Sequence, residues 1–190
     1  KNSCLSYLGT IEIQQNYQLA EKQFADAKNM TDQMAALAVV VDSDNPQKQP
    51  CLERFYQQWQ NEVLVIDKWF ALQASSSATD TFDVVQSLVN HTAFELTTPN
   101  RVRSLIGAFT QANQLHFHAA NGQGYQFLAD QVIALNEINP QVAARMVAAL
   151  TQWKRFDENR QSLMRAALQK IIDTPAISKD VYEVASKSLA

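Results

Sequence analysis

Glycine and proline are scarce in this chain, at four and five residues of 190. So few obligatory turn formers argue against an architecture of many short strands joined by tight hairpins. Sustained alternation of polar and apolar residues is also missing, which removes the signature of half-buried strands. No apolar run approaches the ~20 residues that a membrane-spanning helix requires, and the first residues lack the basic and apolar regions of a signal peptide. A soluble chain with no membrane partner is expected. Positive charge is in short supply as well: 16 Lys and Arg against 19 Asp and Glu give a net charge of −3. Nucleic-acid binding needs a basic face that displaces counterions, and no Lys/Arg run supplies one. The two cysteines, Cys4 and Cys51, have the spacing of neither a zinc site nor a CxxC redox centre. They are expected to be buried free thiols of a protein kept in the reducing cytoplasm.

What is present is the material of a packed helical protein. The hydrophobic fraction is 46% with 18% charged residues, which is too apolar for a disordered tail and sufficient for a real core. Ala, Gln and Leu, all good helix formers, are abundant. The length suits one sizeable domain, taken as residues 1–190. The opening KNSCLSYLG reads as the end of a helix already under way, with Cys4, Leu5 and Leu8 on one face and Gly9 as its stop. A piece of a longer protein is expected on that ground.

From residue 11 onward apolar residues recur at helical spacing. One helix is expected over Ile11 to Lys28 and a second over Asp32 to Asp42, with Thr31 as N-cap and Met34, Leu37, Ala38 and Val41 facing inward. After the turn-rich SDNPQKQP, residues Leu52 to Phe70 form one long helix or two that break near Asn61. SSSATD then leads to a helix at Asp80 to His91. Thr98-Pro99 and Asn139-Pro140 each place proline in a first helical turn, where its missing N–H does no harm. Between them the Gly122-Gln123-Gly124 loop introduces a helix carrying Tyr125, Leu128, Val132 and Leu135. The last two helices begin at Asp157 and Ser178. About ten helices in successive pairs indicate an all-α fold, either a globular bundle or a superhelical array of the armadillo/HEAT kind, although no fixed-length repeat is visible.

Few residues offer chemistry. His91, His116 and His118 belong to no HExxH, and the i, i+2 spacing of the last two points their rings to different helix faces. With no acidic residue or cysteine within several residues of that pair, the two read as solvated or core histidines. Phe55, Tyr56, Trp59, Trp69 and Phe70 have the spacing of a buried helix face, which favours core over a ligand platform. Two arginines are more informative. Arg145 lies about 60° from the centre of the stripe Val142, Met146, Ala149 and Trp153, and Arg103 about 100° from that of Val102, Leu105, Ile106 and Phe109, on a wheel of 100° per residue. A guanidinium at the margin of a buried face needs a carboxylate or carbonyl partner, or a wet cavity to point into. Structural and ligand-binding roles both remain open from the pattern alone.

The strings NMTDQMAAL, DKWFALQA, TPNRVRSLIGAF, NPQVAARM, WKRFD and MRAALQKI, in this order and ending in KSLA, resemble the C-terminal part of the aminopeptidase N family of Gram-negative bacteria. The likeness covers the whole chain and is strongest from Pro99 to Leu168. It implies the C-terminal helical domain of a multidomain zinc exopeptidase that removes N-terminal amino acids from short peptides, closing over the catalytic domain of the same polypeptide. The family's zinc ligands and catalytic Glu lie in HExxH with a downstream Glu, and its amine-binding acids lie in GxMEN. Neither motif occurs here, so no catalytic or metal-binding residue carries over, Zn²⁺ is expected elsewhere in the whole enzyme, and this chain alone is expected to be inactive. The resemblance does carry over arginines that face the internal chamber, at Arg103 and Arg145. The alternative is a free-standing helical-repeat interaction module without enzymatic activity.

Overall fold

Side-chain caps fix where four of the helices begin. Asn29, in extended backbone, accepts a hydrogen bond from the Asp32 N–H and starts a helix at Met30. Asn139, Asp157 and Ser178 do the same for Val142, Arg160 and Val181. Each satisfies one of the four N–H groups that a helix leaves without an internal partner. The expected starts at Asn139-Pro140, Asp157 and Ser178 therefore stand. The expected cap at Thr31 does not, because Asn29 reaches the orphan donor first and draws Thr31 into the helix.

The computed structural model describes residues 1–11 and 13–190. Among them every regular element is helical, and no helix is long and apolar enough to cross a membrane. The chain divides into two compact units, Lys1–Val84 and Val85–Ala190.

The first unit holds α1 (Asn2–Gly9), α2 (Gln14–Asp26), α3 (Met30–Val41), α4 (Lys48–Trp59) and α5 (Val63–Ala74), and α6 (Thr81–Leu88) leads out of it. The α1 helix packs on α2 and α3, α3 packs on α4 and α5, and α4 packs on α5. Leu37, Val40, Phe55, Ile66 and Phe70 are fully buried, each contributing about 1.5–3 kcal/mol by leaving water. Polar groups close the joints. Buried Asn16 donates to the carbonyls of Leu8 and Ile11 at 2.8 and 2.9 Å, the Trp59 indole donates to Gln33, and the Trp69 indole donates to the carbonyl of Leu52. Asp42 collects the hydroxyls of Ser76 and Ser77, which fixes the SSSATD loop against the end of α3.

The first long helix runs from Gln14 to Asp26 rather than from Ile11 to Lys28, and position 12 (Glu12) of that expected helix lies outside the described residues. The Leu52–Phe70 pattern is two helices, broken at residues 60–62. In α3 the buried set is Gln33, Ala36, Leu37, Val40 and Val41, while Met34 and Ala38 are only half-buried. In α1 only Leu5 is buried; Cys4 and Leu8 are exposed. Cys51 is buried as expected, and both thiols are free. Burial, and then the nearby Glu21 charge, push the Cys51 thiol above its ordinary range, so it stays protonated and inert.

The first helix lying wholly in the second unit is α7 (Pro99–Val102), which continues through a π-helical turn (Arg103–Gly107) into α8 (Ala108–Ala112) and then turns into α9 (Gln114–Phe117). The helices α10 (Gln123–Asn136), α11 (Pro140–Val147), α12 (Glu158–Ile172) and α13 (Lys179–Leu189) follow, with two short 3₁₀ turns between α11 and α12. Here α10 packs on α11 and α12, and α13 packs on the same two. Edge-on aromatic contacts link Phe109 to Phe117 and Phe127, and Phe117 to Tyr125. Gly122 and Gly124 do more than form a loop. Gly122 has a φ of 73°, and a Cβ on Gly124 would lie 2.4 Å from the Phe117 carbonyl oxygen, so close approach of α9 to α10 requires glycine.

Candidate functional site

Arg103 stands at the start of the π turn, where the Ala108 N–H reaches back five residues to the Arg103 carbonyl. The widened turn is anchored by buried Val102, Leu105 and Ile106, leaving the Arg103 side chain exposed. Its Nη1 donates to Asn100 Oδ1 at 2.9 Å. Single π turns of this kind occur often at functional sites, because they aim side chains that a regular helix would direct elsewhere. Arg145 is carried by α11, whose buried face is Val142, Ala143, Met146 and Val147. Its own side chain is exposed, and α11 is set in direction by Pro140 in its first turn and by the Asn139 cap.

These two helices bring Arg103 and Arg145 to one groove of about 510 Å³, whose lining also includes Gly107, Ala108, Gln111, Ala112 and Met146. Small residues and the Met146 side chain form the apolar part of the wall, and Gln111 offers an amide. The lining described contains no carboxylate. Among the described residues neither arginine has a carboxylate within ion-pairing distance, whereas Arg160, Lys170 and Lys187 of the same unit are paired with Asp157, Asp130 and Glu183. The groove therefore presents two positive charges without internal compensation. The volume is in the range of a site for a small ligand or a short chain end.

The histidines fall elsewhere. His116 is half-buried just after the Asn113 cap of α9. His118 shares a 2.8 Å hydrogen bond between its Nδ1 and the Tyr125 hydroxyl, and stacks on Phe156 with centroids 4.2 Å apart. Arg160 donates from Nε to the His118 carbonyl and from Nη1 to Asp157. Burial, and secondarily the Arg160 charge, hold the His118 imidazole below its ordinary range. This cluster ties α10 to the start of α12. It was not visible in the sequence, because its members come from three separate segments. The aromatic set of the first unit is packing material: Phe55, Trp69 and Phe70 are buried, and Trp69 lies 5.2 Å from Tyr56 and 5.1 Å from Phe70.

Among the described residues no three His, Cys, Asp or Glu side chains stand close enough to share a metal ion.

Comparison with known proteins places these features in a family. A family profile described as a domain of unknown function (DUF3458_C) with ARM repeats matches residues 1–190. Over its whole length the chain is 42% identical to aminopeptidase N of Haemophilus influenzae and 42% identical to aminopeptidase N of Escherichia coli, and in each case it spans 22% of the relative. It is 38% identical to aminopeptidase N of Caulobacter vibrioides, again across 22% of that protein. Among solved structures, Legionella pneumophila aminopeptidase A in complex with aspartic acid aligns with a TM-score of 0.93 at 35% identity, covering all of this chain and 22% of that one. The all-helical architecture, the complete profile match and the relatives agree: this chain belongs to the ARM-repeat domain family that forms the C-terminal domain of aminopeptidase N.

Proposed function

We propose that the chain serves a zinc aminopeptidase as the domain that caps the active-site chamber, restricts entry to short peptides, and holds the substrate's C-terminal side through Arg103 and Arg145. The observation that carries this is the uncompensated pair of guanidiniums on one groove. A guanidinium presents forked N–H donors that match a carboxylate in two parallel hydrogen bonds. A peptide whose first residue lies at a distant catalytic centre brings its free carboxylate, or a late backbone carbonyl, to such a groove. Holding that trailing end orients the scissile bond without touching it. Zinc and the general base belong to the catalytic domain of the same polypeptide.

A free-standing interaction module is the weaker reading, because the relatives that match the whole chain are aminopeptidases more than four times its length. The test is kinetic, in the whole enzyme. Arg145→Ala is expected to raise KM for tripeptides more than for amino-acid arylamides, which have no trailing carboxylate. Equal effects on both substrate types would remove the carboxylate-binding role.

A further inference from the structure

Resting on that reading, we propose that the groove selects peptides whose trailing end carries two negative charges: the terminal carboxylate and an acidic side chain on the last residue.

A terminal carboxylate supplies one negative charge, and the groove supplies two positive ones from different helices. The partner of Arg103 is the neutral amide oxygen of Asn100, 2.9 Å away. That bond orients the guanidinium and occupies one of its five N–H donors, but it leaves the charge in place. Arg145 has no carboxylate within ion-pairing distance among the described residues. A singly charged end therefore neutralises one of the two positive charges, whereas a dianionic end neutralises both. Gln111 adds an amide that can meet either a carboxylate or a backbone carbonyl. Met146, Ala108 and Ala112 give the short side chain of an acidic residue a wall to lie against. None of these contacts requires a particular first residue, so the selectivity concerns the trailing end alone.

The experiment uses the whole enzyme and three tripeptides that share their first two residues and end in Asp, in Asn, or in Asn with an amidated C-terminus. The Asp peptide is expected to show a KM about three- to fivefold below that of the Asn peptide, the scale of one accessible ion pair. The advantage should shrink as salt rises from low to about 0.3 M, and it should vanish in both Arg103→Ala and Arg145→Ala. Equal KM for Asp and Asn, with a weaker amide, overturns the dianion proposal and leaves carboxylate binding intact. Three equal values remove both. An Asp preference that survives each arginine variant also overturns the proposal, since the selectivity then originates outside the groove.

Discussion

The amide oxygen of Asn100 accepts a hydrogen bond from Arg103 at 2.9 Å, one turn away on the same helix. This contact separates orientation from neutralisation. Asn100→Ala should leave the positive charge but free the side chain to sample other rotamers, raising tripeptide KM about two- to threefold with kcat little changed. Asn100→Asp should do more, because a carboxylate at that place pairs with Arg103 and competes with the ligand. A KM increase at least as large as that of Arg103→Ala is expected. A purely structural Asn100 would show neither the KM-specific effect nor the harsher Asp variant.

Two glycines in the second unit should respond oppositely to alanine. At Gly124 the new Cβ would fall 2.4 Å from the Phe117 carbonyl oxygen, so Gly124→Ala should cost about 1–3 kcal/mol by forcing α9 and α10 apart. At Gly107 the nearest atoms to a new Cβ are 3.7 Å and 4.0 Å away. Gly107→Ala should therefore be neutral or stabilise by about 0.4–1 kcal/mol. It would also narrow the groove, since Gly107 lines it, and so raise KM for tripeptides. Denaturant midpoints of the two variants check the pair.

The imidazole of His118 makes a third case. Its pKa is lowered in the folded chain by burial and then by Arg160, so as pH falls the unfolded chain takes up this proton before the folded one does. Stability should therefore rise with pH across this window. The decline on acidification begins near the unfolded value of about 6.5 and levels off below the depressed folded value. Tyr125, Arg160 and Asp157 are the other ionisable groups of the cluster. Asp157 is held below its ordinary range by Arg160, so its own loss of stability comes at lower pH. Thermal unfolding between about pH 7.5 and 5.5 should show the decline in the native chain and a flatter profile in His118→Gln. Parallel profiles would contradict it.

How much of this was legible in the sequence depends on the range of the interactions involved. Caps and first-turn prolines are local, and Pro99, Pro140, Asp157 and Ser178 marked helix starts that the structure retains. Asn29 and Thr31 are both competent caps two residues apart, and composition does not decide which side chain reaches the orphan N–H. Helical-wheel placement identified Arg103 and Arg145 as margin residues, and both are exposed beside buried faces. A wheel of 100° per residue does not hold through the π turn at Arg103–Gly107, and it carries no information on how one helix sits against another. The meeting of α8 and α11 at one groove, like the His118–Tyr125 bond, depends on tertiary register and became visible only in three dimensions.

The groove as a carboxylate site is tested most directly by the ratio of KM values for one tripeptide and its C-terminal amide, measured on the whole enzyme and on the Arg103→Ala/Arg145→Ala double variant. The native enzyme is expected to favour the free acid by about three- to fivefold, and the double variant to treat acid and amide alike. An unchanged ratio in the double variant would contradict the assignment of Arg103 and Arg145 to the substrate's trailing end.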